Sequence, residues 1–175
     1  MIRKIFTSII IILLLLFVIQ YIYPQKMKIE VGSTVPRFSL KDQHNNTINI
    51  DDYIGKNAMV IYFYPKDDTP GCTKEACKFR DEYEAFTDLN VKVFGISADD
   101  VKSHKKFAEK YNLPFSLLAD TDNKVRDLFG VPKSMLGLLP GRVTYVVDKK
   151  GIIIHIFNSQ FGAEKHISEA LSKLK

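Results

Sequence analysis

Apolar and polar positions alternate along most of this chain in two rhythms. Residues 58–64 are apolar nearly throughout, which predicts a strand buried on both faces. Residues 91–98, 115–119 and 142–148 read as further strands, and 47–50 as a short one. Residues 152–157 pair with 142–148 as a hairpin around Lys149-Lys150-Gly151. Between the strands the rhythm lengthens to three and four residues. Phe79, Tyr83 and Phe86 then share one face of a helix expected over 72–89. Further helices are predicted at 101–111, 122–129 and 163–174, the second of these ended by Gly130. Residues 36–40 are extended, 42–46 form an Asn/Asp turn, and 131–141 are a loop with no role assigned from sequence. Strands alternating with helices, closed by a hairpin and a last helix, describe a three-layer α/β domain.

The N-terminus stands apart. Residues 9–19 are strictly apolar, and 5–23 are long enough to cross a bilayer of about 30 Å. No small-residue cleavage site follows, and Tyr21 and Tyr23 suit a membrane interface. An uncleaved single-pass anchor over 1–25 is therefore expected, ahead of a cleaved signal peptide or an apolar helix packed on the domain. A linker over 26–34 and one domain over 35–175 complete the organisation. Arg3 and Lys4 argue for a cytoplasmic N-terminus, nearly balanced by Lys26 and Lys28. The expectation drawn is a domain on the extracytoplasmic, periplasmic side.

Composition adds mainly exclusions. The 175 residues carry a net charge of +5. Arg3 and Lys4 are the only charges among the first 25 residues, so the remainder has 23 basic against 20 acidic side chains. No basic stripe is visible, and nucleic acid is not an expected partner. The four histidines, His44, His104, His155 and His166, are scattered without ligand spacing. Two cysteines are too few for a disulfide scaffold or a four-ligand zinc site. They remain open to three readings: a structural disulfide, a redox pair, or two buried thiols.

Both cysteines fall in one stretch, Tyr62-Phe-Tyr-Pro-Lys-Asp-Asp-Thr-Pro-Gly-Cys-Thr-Lys-Glu-Ala-Cys77. The strand breaks at Pro65 and turns through Asp67, Asp68, Pro70 and Gly71, so Cys72 enters the first turn of a helix. Unpartnered N–H groups and the helix dipole favour an anion there, and the thiolate is the reactive form of cysteine. The Pro70-Gly71 pair suggests a tight, exposed turn at Cys72. Thr69 is placed either to hydrogen-bond a reacting group or to cap the helix. On one regular helix, Cys72 and Cys77 lie about 140° apart with a rise of about 7.5 Å. That separation exceeds the disulfide limit of about 7 Å between Cα atoms, so a bond between them requires the helix to unwind locally.

Pro65-x3-Thr69-x2-Cys72 resembles the active-site signature of the peroxiredoxins. The longer Tyr-Pro-Lys-Asp-Asp-Thr-Pro-Gly-Cys-Thr-Lys-Glu-Ala-Cys run is similar to the bacterioferritin-comigratory-protein (PrxQ) branch, with likeness over roughly residues 29–175. The resemblance implies a thioredoxin-like fold, a three-layer sandwich with a central mixed sheet, plus the N-terminal membrane helix expected separately. It implies thiol peroxidase activity on hydrogen peroxide and organic hydroperoxides, with antioxidant defence as the role. Cys72 would be the peroxidatic cysteine and Cys77 the resolving one, with a Cys72–Cys77 disulfide recycled by thioredoxin or a thioredoxin-like protein. Thr69, Pro65 and Arg142 would complete the site, Arg142 heading a strand that resembles the family's Arg-x-Thr strand. No cofactor, metal, haem or flavin is implied, and the chain is read as a monomer. Two rivals remain. A membrane-tethered thioredoxin-like copper chaperone would use both cysteines and a distant histidine such as His155, but is expected to space its cysteines by three residues, not four. A membrane-anchored disulfide reductase lacks its Cys-x-x-Cys.

Overall fold

The computed structural model describes residues 29–134 and 136–175. Seven strands form one mixed sheet in the order β2-β1-β5-β4-β3-β8-β9. They are β1 (Ser39–Asp42), β2 (Thr47–Asn49), β3 (Ala58–Phe63), β4 (Val91–Ser97), β5 (Ser116–Ala119), β8 (Val143–Val147) and β9 (Ile153–Asn158). The central β3 runs parallel to β4 and antiparallel to β8, with Tyr62 opposite both Gly95 and Thr144. Among the described residues five α-helices accompany the sheet: α1 (Pro70–Asp81), α2 (Tyr83–Asp88), α3 (Val101–Tyr111), α4 (Lys124–Leu128) and α5 (Lys165–Leu174).

The period-two alternation of β3 divides the core. Val60 and Tyr62 face a cluster containing Phe79, Phe86, Phe107 and Ile167, which belong to α1, α2, α3 and α5. Met59, Ile61 and Phe63 face the opposite cluster with Phe38, Val125, Phe129 and Tyr145. The face covered by α1, α2, α3 and α5 carries the site. Tyr62 stacks on Phe79 with ring centroids 4.6 Å apart, which seats α1 on β3. Gly95 makes room for this: a Cβ there would meet the Tyr62 ring at 2.6 Å.

Several expectations shift. The helix predicted over 72–89 is two helices, broken at Glu82, with no Pro or Gly to mark the break. Its start moves back to Pro70, because proline is pre-organised for a first helical position. The loop at 131–141 holds a two-stranded ribbon, β6 (Lys133–Ser134) against β7 (Leu139–Pro140). Gly32 and Val35 already bond to Ile153 and Gly151, so backbone pairing begins within the segment 26–34.

The anchor expected over 1–25 lies outside the described residues. Among the described residues no helix is long and apolar enough to cross a membrane. The longest element quoted above, α1, has 12 residues and therefore spans only about 18 Å.

Candidate active site

Cys72 is the third residue of α1 and only 2% exposed, so the expectation of an exposed turn is corrected. Pro70 and Gly71 are exposed, but starting the helix at Pro70 turns the Cys72 side chain inward. There it meets Arg142, whose Nη2 donates to Sγ at 3.2 Å. Arg142 precedes β8 and is itself 3% exposed. Gly141 sets its approach: a Cβ at that position would lie 2.0 Å from the Pro132 carbonyl oxygen.

Arg142 is shared. Its Nη1 donates to Oε2 of Glu75, one helical turn after Cys72 and fully buried. Burial pushes the Glu75 carboxyl up to about 8, against the opposing pull of Arg142. Arg142 is shifted up: burial opposes its charge, but Glu75 and then Cys72 outweigh it. Behind Glu75 lies His166, with Nδ1 3.7 Å from Oε1. His166 Nε2 faces the Ser159 carbonyl at 2.9 Å and Nδ1 faces Thr144 Oγ1 at 2.8 Å. A carbonyl only accepts, so the ring carries its proton on Nε2 and accepts from the Thr144 hydroxyl. Burial lowers the His166 pKa to about 4.

The loop ahead of Cys72 is pinned separately. Asp67 is buried and accepts from Tyr64 Oη at 2.7 Å and Ser103 Oγ at 2.8 Å, with His104 Nδ1 at 2.9 Å. Thr69 occupies the N-cap position of α1 but makes no side-chain cap bond. Its hydroxyl donates to the Lys66 carbonyl at 3.1 Å, which leaves its lone pairs free to accept. Pro65 is half-buried between Tyr64 and Lys66. A second buried cation, Arg126, donates to the Tyr64 carbonyl at 2.8 Å and the Gly141 carbonyl at 2.9 Å. It thereby ties together the backbones that lead into Pro65 and Arg142.

Cys77 is half-buried on the same helix, in a shallow cleft lined by Asp68, Pro70, Thr73, Lys74, Lys110 and Tyr111. Both cysteines are free thiols. Their places on one intact helix put the Cα atoms about 9 Å apart by ideal geometry. His155, the distant histidine of the copper-chaperone rival, faces Glu169 at 3.1 Å. Among the described residues no group of three His, Cys, Asp or Glu is placed to hold a metal ion.

The structure therefore brings Cys72 and Arg142 together, with Thr69 and Pro65 on the loop leading to Cys72 and Cys77 further along the helix. Sequence reasoning missed Glu75, Arg126, His166 and the Asp67–His104 pair. Glu75 had a signal, being three residues from Cys72 and so on the same helical face. Arg126 had none, because its acceptors are backbone carbonyls distant in sequence.

The chain matches the AhpC/TSA family over residues 31–156. It is 55% identical over 144 residues to peroxiredoxin Q, chloroplastic, of Triticum aestivum, covering 82% of this chain and 66% of that one. Among solved structures it resembles peroxidoxin BcpB of Mycobacterium tuberculosis, with a TM-score of 0.77 and 36% identity over 83% of this chain and 96% of that one. It also resembles the bacterioferritin comigratory protein of Xanthomonas campestris, studied for alkyl peroxide reduction, with a TM-score of 0.70 and 29% identity over 79% of this chain and 92% of that one. These relatives correct one expectation. The wheat relative is a chloroplastic protein, and no described helix is fit to span a membrane, so a membrane-anchored periplasmic location is withdrawn.

Proposed function

Because the chain belongs to the AhpC/TSA family, as a thiol peroxidase of its peroxiredoxin Q branch, we propose that Cys72 is the residue that attacks peroxide and Cys77 the one that resolves the product. The observation that supports this most is the 3.2 Å contact between Arg142 Nη2 and Cys72 Sγ, both buried, at a helix N-terminus. A guanidinium keeps its charge and offers several fixed donors. It serves the thiolate before reaction and the departing oxygen during it.

The proposed cycle has three steps. The Cys72 thiolate attacks one oxygen of the peroxide, the S–O bond forms, and the O–O bond breaks. The leaving hydroxide or alkoxide takes up a proton as water or alcohol, and Cys72 becomes a sulfenic acid. Thr69 accepts a hydrogen bond from the peroxide hydroxyl, and Pro65 shields the pocket from water. Cys77 then attacks the sulfenic sulfur, forming the Cys72–Cys77 bond and releasing water. Thioredoxin or a thioredoxin-like dithiol protein reduces that disulfide by exchange. Attack and resolution both draw on one chain, which is the arrangement a monomer needs. The substrates proposed are hydrogen peroxide and organic hydroperoxides, the second supported by the alkyl peroxide reduction of the Xanthomonas relative.

The test is the mass of the full chain after one equivalent of hydrogen peroxide, with thiol alkylation before and after. Loss of both alkylatable thiols in a monomer about two hydrogens lighter supports the two-cysteine cycle. A single added oxygen with Cys77 still alkylatable assigns a one-cysteine mechanism instead. Cys77→Ser with unchanged thioredoxin-coupled turnover refutes the resolving role.

A further inference from the structure

For Cys72 and Cys77 to bond, α1 must unwind, and the last turn of α3 grips it at both ends. At the near end is Asp68, whose backbone sits at φ 54° in the loop before Cys72. Lys110 Nζ donates to its two carboxylate oxygens at 2.8 and 2.7 Å, and Tyr111 Oη donates to Oδ1 at 2.7 Å. At the far end, Arg80 Nη1 donates to the Tyr111 carbonyl at 2.8 Å. Lys110 and Tyr111 also wall the cleft that holds Cys77. Two routes bring the sulfurs together. Unwinding from Pro70 displaces the loop that carries Asp68. Unwinding from the other end displaces Arg80. Each route breaks a contact to Lys110 or Tyr111.

We propose that Asp68, Lys110 and Tyr111 are positioning residues for the resolving step, a clasp that keeps α1 wound while Cys72 meets peroxide and must release before Cys77 reaches it. This rests on the reading of Cys77 as the resolving cysteine. The step itself is balanced: the Cys77 thiolate attacks the Cys72 sulfenic sulfur, S–S forms, S–O breaks, and the hydroxide leaves as water with one proton. No oxidant beyond the first peroxide is consumed. While the clasp holds, a second peroxide competes for the sulfenate and takes it to the sulfinic acid. The clasp is built to let go. Asp68 and Lys110 are both exposed, and exposed ion pairs are weak. Its strength therefore sets how the sulfenate divides between disulfide and sulfinic acid.

The test uses the full chain and its Asp68→Asn and Tyr111→Phe variants. Rapid quenching with thiol alkylation and mass measurement follows sulfenic acid, disulfide and sulfinic acid over a peroxide titration. The expected result is disulfide formation about two- to fivefold faster in each variant, peroxide attack within about twofold of wild type, and a smaller sulfinic fraction. Asp68→Glu, which keeps the charge, is expected to return the wild-type partition. Resolution that is unchanged or slower in the variants overturns the clasp. Should Asp68→Asn not fold, Tyr111→Phe decides alone, since it removes only a hydroxyl. A wild-type chain that forms no Cys72–Cys77 disulfide sinks the two-cysteine cycle and the clasp with it. A disulfide that forms equally fast in all chains sinks the clasp only.

Discussion

Asp67 and Glu75 stand on either side of Cys72, and both are buried carboxylates. Their surroundings differ in kind. Both oxygens of Asp67 are supplied, by the Tyr64 and Ser103 hydroxyls and by His104, and its backbone N–H donates to Asp99 at 2.9 Å; the unpartnered atom of this cluster, His104 Nε2, lies on the far side of the ring. Glu75 has Arg142 on one oxygen and no hydrogen-bond partner on the other. A buried carboxylate with donors on both oxygens is firmly held, whereas one with an oxygen left unpaired carries a desolvation cost. The lesson is a division of labour. Asp67 fixes where the loop before Cys72 runs, and no thiol touches it. Glu75 holds the one guanidinium that touches the thiol, and its unpaired oxygen leaves it responsive to the charge state around it.

The sharpest way to break this comparison is to remove the group that links Glu75 to Cys72. Arg142→Gln keeps a donor but loses the charge and the fork. The second-order rate constant with hydrogen peroxide is expected to fall by about 10²–10³, as for loss of a donor to a developing oxyanion. Competition against a peroxidase of known rate measures it. A loss under about threefold would detach Arg142 from the reaction.

On the other side of Cys72, Asp67→Asn is expected to act on stability. It weakens a buried network and costs about 1–3 kcal/mol. For a domain of this size that is a fall in Tm of roughly 3–10 °C. The peroxide rate, measured well below the new Tm, should change by less than about fivefold. If instead the rate collapses while Tm holds, Asp67 belongs with the chemistry and the division of labour fails.

The contrast also shows what was legible in the sequence. The strands at 58–64 and 142–148 and their hairpin partner were readable because period and turn chemistry agree there. Cys72, Thr69 and Arg142 could be singled out because the run around the cysteines is distinctive enough to carry a family resemblance, and the structure brings two of them, Cys72 and Arg142, to 3.2 Å. Asp67 was read only as a turn residue. Its role depends on His104 and Ser103, more than thirty positions away, and no local pattern announces that α3 will deliver them. Arg126 escaped for the same reason, since backbone carbonyls leave no mark in a sequence. The break at Glu82 was invisible too, because Phe79, Tyr83 and Phe86 satisfy one helical face whether or not the helix is continuous. The inward turn of Cys72 was missed because Pro70-Gly71 reads equally as a turn and as the start of a helix.

The remaining variant isolates Glu75 itself. Glu75→Gln preserves the shape and leaves an amide oxygen for Arg142. Above pH 8, where Glu75 is ionised, weakening its hydrogen bond to the guanidinium lowers the peroxide rate by about tenfold. The more specific signature lies in stability against pH. The Glu75 carboxyl rises from 4.5 to about 8 on folding, so the folded chain binds the extra proton and stability falls as pH climbs through that window. His166 moves the other way, from 6.5 to about 4, so its contribution is present above 6.5 and lost as pH falls toward 4. Between 4.5 and 6.5 the two slopes oppose each other. Between 6.5 and 8 only that of Glu75 remains, and Tm is expected to decline there. In Glu75→Gln that decline should vanish, while the loss of stability toward pH 4 from His166 stays. Thermal melts at half-unit pH steps measure both. A decline above pH 6.5 that persists in Glu75→Gln would show that another group carries the proton. The unpaired oxygen of Glu75 would then be a feature of packing with no bearing on the charge balance around Arg142.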